Sequence, residues 1–292
     1  MILITGASGV VGQPLCTRLL HENIAFGIVS RKASDTPYNK IHWDLENAAS
    51  SRITQNLADY KTLVHCAPIW LLPAHMDTFY TAGIKRMIVF GSTSIVSKKS
   101  SANTQEQRLV EQLVSAEQKL GDYCARESIS LTILRPSMIY GYGLDQNISR
   151  IAAFIDRFGF AVLVGKADGL RQPVHAQDLV DTVLAIRDNS SNFEKTYNLA
   201  GGESLSYTNM IKRIFKALDK RVIIVPLPLP VVRFALKVAA AMSSFAYTAE
   251  MADRMNQDLI FDYSDASADF NYHPQKFLAN AKRDIPRSGH KA

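Results

Sequence analysis

The chain has 292 residues, 47% of them apolar and 21% charged, a balance that argues against long disorder and allows one large domain or a large and a small one. Its formal charge of +6 is scattered along the chain with no basic stripe, which argues against nucleic-acid binding and leaves room for anionic ligands such as phosphates. Cys16, Cys66 and Cys124 stand far apart without a CxxC pair, so they read as reduced thiols of a cytoplasmic protein, and with seven histidines they show no spacing suited to a metal.

The first two-thirds alternate short apolar runs with helical patterns, the signature of a parallel sheet with crossover helices. Residues 2–4 form the first predicted strand, starting too early to leave room for a signal peptide. A helix over 11–21 follows, with Pro14 in its first turn, where a missing N–H costs little. Further strands are predicted at 25–30, 40–43, 62–66, 87–90 and 130–134, with a long helix over 104–126 before the last. Beyond Arg135-Pro136 the pattern loosens into a helix at 148–157, a strand at 160–164, a helix at 176–187, a strand at 196–199, a helix at 207–218 and a strand at 222–225. The apolar stretch 222–247 is broken by Pro226, Pro228 and Pro230 and interrupted by Arg233 and Lys237. Its charge-free part is far short of the ~20 residues of a spanning helix, so it reads as strand, proline-rich turn and amphipathic helix, with peripheral membrane contact near 234–245 left open.

The run Thr5-Gly6-Ala7-Ser8-Gly9-Val10-Val11-Gly12 joins the first strand to the first helix. In such a βαβ unit, Gly6 turns the chain sharply, Gly9 admits a pyrophosphate to the backbone and Gly12 lets helix and strand pack closely. Ser8, Val10 and Val11 contribute the loop's N–H groups, and the helix N-terminus adds partial positive charge. At the end of the second strand a carboxylate would bind a free ribose 2′-hydroxyl, whereas cations bind a 2′-phosphate. The sequence there is Ser30-Arg31-Lys32 with no acid before Asp35, so NADP(H) is expected, with NAD possible if Arg31 only stacks on adenine. Asp44, followed by Leu45, either accepts from the adenine amino group or caps the next turn. Ala67-Pro68 falls where a strand end faces the cofactor crevice, and Ser92 and Pro136, at later strand ends, complete the expected cofactor set.

These motifs, with Val64-His65-Cys66-Ala67, Phe90-Gly91-Ser92-Thr93-Ser94, Leu134-Arg135-Pro136-Ser137, Ile139-Tyr140-Gly141 and Pro173-Val174-His175-Ala176-Gln177-Asp178-Leu179, resemble the extended or atypical branch of the short-chain dehydrogenase/reductase superfamily, the NAD-dependent epimerase/dehydratase family. The resemblance spans nearly the whole chain. It implies a Rossmann-type doubly wound parallel sheet over 1–165, with 174–200 returning to it, and a small C-terminal substrate domain made mainly of 166–292. It also implies a small-molecule substrate such as a nucleotide-sugar.

The family's chemistry uses a Ser or Thr after the fifth strand and a Tyr and a Lys four apart on the next helix. Thr93 matches the first. Aligning Ala116-Glu117 with the family's Ala-Glu puts Leu109 and Leu113 at the other two positions, and no Tyr lies between Tyr80 and Tyr123. Tyr140 or Tyr142 is then either a substitute acid or a packing aromatic. Arg171 either grips a substrate phosphate or is a surface charge, and His175 either contacts substrate or tethers two domains. Two functions stand: an NAD(P)-binding oxidoreductase or epimerase acting on a nucleotide-sugar or other small hydroxy or keto compound, and a non-catalytic NADP(H)-binding sensor or assembly subunit.

Overall fold

A computed structural model describes residues 1–31, 37–47, 51–228, 231–232 and 253–285. Lys32, Asp35 and the predicted helix over 234–245 lie outside the described residues.

The five inner strands of the large sheet are mostly apolar and buried on both faces, as a parallel sheet covered by helices requires, while its two edge strands, 39–42 and 195–199, carry exposed polar residues. In chain order the elements are β1 (Ile2–Thr5), α1 (Gly12–His21), β2 (Phe26–Ser30), β3 (Asn39–His42), α2 (Ser51–Asn56), β4 (Thr62–His65), α3 (Met76–Thr81), β5 (Arg86–Phe90), α4 (Ser94–Ser97), α5 (Thr104–Arg126) and β6 (Ser130–Pro136). They are followed by β7 (Ile139–Tyr140), α6 (Ile148–Phe158), β8 (Ala161–Val164), β9 (Leu170–Arg171), β10 (Val174–His175), α7 (Ala176–Ile186) and β11 (Lys195–Leu199). β12 (Leu205–Ser206), α8 (Tyr207–Ala217), β13 (Ile224–Leu227) and short helices at Ser264–Phe270 and Ala281–Asp284 complete the described chain. The seven-stranded sheet runs β11-β6-β5-β4-β1-β2-β3, all parallel, so the expected doubly wound sheet is present. Its order reverses between β1 and β4, the switch point at whose carboxyl ends such sheets open a crevice.

Two apolar cores cover the sheet. One packs α3 and α5 through Phe79, Leu113 and Leu120; the other packs α1 and α7 through Leu15, Leu19 and Val183. A third core lies off the sheet, where Ile148, Ala152 and Ile155 of α6 meet Ile214 and Phe215 of α8, with Phe277 beside them. β8 pairs with β13 and β9 with β12, apart from the large sheet. The chain thus leaves the sheet after β6, builds part of this lobe, returns through α7 and β11 and leaves again.

Several elements differ from expectation. The strand expected at 222–225 is Ile224–Leu227 and contains Pro226. The β8–β13 ribbon has only edge strands, so a residue without an N–H is tolerated there. The segment 67–84, for which no element was expected, folds into two 3₁₀ turns, Ile69–Leu71 and Pro73–His75, and the six-residue α3, all too short to show a helical period.

The lobes are tied where β10 meets the last described turn. The fully buried His175 caps α7 through Nδ1, which accepts from Gln177 N at 2.9 Å. Its Nε2 therefore carries the proton and donates to Asp284 Oδ1 at 2.8 Å. Burial alone would raise the Asp284 pKa, but hydrogen bonds from His175 and Arg283 outweigh it and hold the carboxyl below its usual value. Of the two roles offered above, substrate contact or tether, its bonds fit the tether between the lobes, and its side chain is fully buried. Asp284→Ala leaves His175 and Arg283 without their carboxylate and is expected to cost about 3 kcal/mol, read by urea unfolding; an unchanged midpoint would remove the tether.

Candidate functional site

The crevice is formed first by the glycine loop. Gly6 has φ +71° and lies so close to the turn after β4 that a Cβ would stand 2.5 Å from Ala67 N. A Cβ on Gly12 would stand 2.2 Å from Gly6 O, so only glycine lets α1 begin this near the loop. Gly9 N donates to Gly6 O at 3.0 Å, closing the turn, with Ser8 exposed at its tip. α1 starts with Val11 as its cap, no side-chain cap bond and no acid in its first turn. An anion is the natural partner for such a terminus, which follows a cradle that any side chain would fill. The pyrophosphate of a dinucleotide fits those features.

Beneath the loop lies His65, a residue for which the sequence reading gave no role. Its Nδ1 is 2.7 Å from Thr5 Oγ1 and its Nε2 3.2 Å from Pro68 O, joining the ends of β1 and β4 to the Ala67-Pro68 turn. Complete burial pushes its pKa down to about 4, so the ring is neutral, accepting from Thr5 and donating to Pro68. A histidine at the end of an apolar strand was the only available signal.

Around the rim, Ser30 is half-buried at the end of β2 and its carbonyl accepts from Trp43 N at 3.1 Å; Arg31 follows it, exposed. Asp44 takes up its own turn, accepting from Glu46 N at 3.2 Å and Asn47 Nδ2 at 3.3 Å. Leu45 packs partly buried against the core while its carbonyl stands 2.6 Å from His75 Nε2. Ser92 accepts from Ser94 N at 3.1 Å. Thr93 is buried, and both its N–H and its hydroxyl donate to Pro136 O at 3.1 Å. The Thr93 hydroxyl proton is therefore committed to the main chain of β6.

On α5, Leu113 is buried and Leu109 is partly buried against the same core. Glu117, which anchored their placement, receives two bonds from Arg135 Nε at 3.0 and 3.1 Å, and a Cβ on Gly91 would strike it at 2.7 Å. The helix is thus fixed against the ends of β5 and β6, with leucines on its inner face.

Tyr140 and Arg171, each offered above with two roles, are both buried. Tyr140 is buried, with its ring edge-on to His175 and Phe277 and its hydroxyl accepting from Leu278 N at 3.0 Å. Burial raises its pKa, and the ring packs the lobe boundary. Arg171 is no surface charge: it is buried, donating to Leu170 O at 2.8 Å, to Gln257 O at 2.7 Å and also to Arg254 O. Its Nε has no hydrogen-bond acceptor among the described residues, and burial lowers its pKa. Tyr142, the other tyrosine considered, donates to Gln177 Oε1 at 2.6 Å.

An ion cluster that sequence reading missed bridges the lobes. Glu106, in the first turn of α5, faces Arg254 Nη1 at 2.6 Å, Lys98 Nζ at 3.2 Å and the Ser101 hydroxyl at 2.8 Å. Burial works against its charge, yet the bonds from Arg254 and Ser101, with the two cations, hold its pKa below the ordinary value. Among the described residues no three His, Cys, Asp or Glu side chains gather as a metal site, and no helix is long and apolar enough to cross a membrane.

Residues 75–200 match the model of the NAD dependent epimerase/dehydratase family. An uncharacterised protein of Mycobacterium bovis is 30% identical over 80% of the chain, which spans only 24% of that relative's length. UDP-glucose 4-epimerase of Vibrio cholerae is 22% identical over 56% of the chain and 48% of its own length. UDP-glucuronic acid 4-epimerase from Bacillus cereus, solved with UDP-glucuronic acid and NAD, superposes with a TM-score of 0.74 at 18% identity, over 97% of both chains.

His65 gives a pH prediction. Its folded pKa lies near 4, below the usual 6.5 of a free imidazole, so its contribution to stability is complete above pH 6.5 and is lost as pH falls from 6.5 towards 4. Urea unfolding at both ends of that range should show a larger acid loss in the wild type than in His65→Gln; equal losses would refute the assignment.

Proposed function

From a chain whose residues 75–200 match the NAD dependent epimerase/dehydratase family and whose fold is shared with a UDP-sugar epimerase, we propose an NADP-dependent enzyme that oxidises, reduces or epimerises a hydroxyl-bearing carbon of a nucleotide-sugar or similar small compound. The observation that carries this reading is the cradle of Gly6, Gly9 and Gly12 before an uncapped, acid-free α1. The bound cofactor supplies reversible hydride transfer.

In this reading the chain's own groups divide the work. The loop's amides and the α1 terminus hold the pyrophosphate, with Ser8 at the tip. Arg31, exposed at the end of β2 where no acid follows before Asp35, favours the 2′-phosphate together with Lys32. Asp44 and Leu45 flank the adenine end, Ala67 and Pro68 floor the crevice, and Ser92, Thr93 and Pro136 border its reactive end. Thr93 positions rather than transfers a proton, since its hydroxyl is bound to Pro136 O.

A second reading rests on Leu109 and Leu113. Two apolar side chains packed into the core move no proton, so the same cofactor site would serve a sensor or an assembly subunit.

Titration should show tighter binding of NADPH than NADH, and Arg31→Ala should reduce that preference about tenfold. Tighter NADH binding would overturn the NADP assignment. Gly12→Ala should abolish binding of both cofactors while a thermal melt reports the remaining fold. Incubation with cofactor and a UDP-sugar panel should yield a keto or epimerised product. Binding without turnover on any substrate would select the second reading.

A further inference from the structure

We propose that the small lobe carries a docking surface for an anionic lipid bilayer, centred on the outward face of α6 and the β8–β13 ribbon. α6 is apolar on two sides. Its inner side buries Ile148, Ala152 and Ile155 in the third core, while its outer side shows Phe154 at 40% and Phe158 at 52% exposure. These rings lie 4.7 Å apart and cluster with Phe160. Gly159, at φ +76°, ends the helix and turns the chain into β8.

The apolar face continues across the ribbon. Val162 of β8 is paired with Val225 of β13, and both are exposed. Ile223 O accepts from Ala161 N at 2.9 Å, which places the exposed Val222 and Ile223 beside the Phe160 end of the patch. A continuous surface of this kind on a globular protein marks a binding face rather than scattered apolar residues.

Charge selects the occupant. The Arg157 guanidinium lies 5.2 Å from the centroid of the Phe158 ring, and Arg150 and Arg221 are exposed at the margins. Lys220 donates to Asp156 O at 2.7 Å and pairs with the Asp156 carboxylate, so that nearby acid is neutralised; Asp219 is the exposed acid of this edge. Exposed phenylalanines within a cationic margin match a leaflet whose headgroups are anionic and whose interior takes the rings. A second copy of the chain would bring the same arginines face to face, which disfavours self-association through this patch.

The test is co-sedimentation with vesicles of phosphatidylcholine alone and of phosphatidylcholine with about 30 mol% phosphatidylglycerol, at low and high salt. The wild type should pellet only with the anionic vesicles, and less as salt rises. Phe154→Gln with Phe158→Gln, and separately Arg157→Glu with Arg221→Glu, should each weaken binding about tenfold while retaining the wild-type melting temperature. Failure to pellet with the anionic vesicles would overturn the proposal. So would unchanged binding in both folded variants, or sedimentation equilibrium showing a dimer that the Phe variant dissociates. None of these readouts depends on cofactor or turnover, so they stand apart from the enzymatic reading.

Discussion

The contact between Gly6 and the turn after β4 is the constraint on which the crevice depends. Two chain segments from different crossover units approach there until a single methyl group would not fit. That closeness lets β1 end directly beneath the start of α1, and Gly12 brings the helix down onto the loop. His65 completes the arrangement from below, binding the ends of both strands to the floor of the crevice. Buried polar groups are expensive unless paired, so the neutral ring with both nitrogens engaged stiffens this corner. The orientation of the helix terminus, and with it the affinity for an anion, follows from steric and hydrogen-bond requirements at a handful of atoms.

The second lobe is held to the sheet by charge as well as by apolar packing. His175 with Asp284 makes a dry tie, while Glu106 with Arg254 and Lys98 makes a partly wet one on α5. These ties differ in kind. Losing one partner of the buried pair strands the other in a low dielectric, whereas the Glu106 cluster keeps some access to water and salt. Arg171 acts within the lobe instead, gathering main-chain carbonyls of the 254–257 segment against β9.

Local pattern made the sheet and the glycine loop legible, because strand, turn and helix signals all fall within one short βαβ unit. The same was true of α5, whose length and missing breakers stand out. What stayed hidden is non-local. Nothing near Arg171 announces that residues 254–257 will bury it, nor near Tyr140 that Leu278 will claim its hydroxyl. Glu106 meets Arg254 from 148 residues away, beyond the reach of any periodicity. Asp44 illustrates a narrower limit: the residue was singled out, but the bonds of its own turn could not be told beforehand from a ligand contact.

The burial of Leu113 also bears on how the chain could change over generations. Its side chain is 3% exposed within a core shared with Leu120, Phe79 and Met87. A lysine introduced there would place an ammonium group among hydrocarbon, whereas Leu109, one turn earlier, is only partly buried. The lysine alone would lower stability. The packing therefore acts as a ratchet against a charged residue at 113.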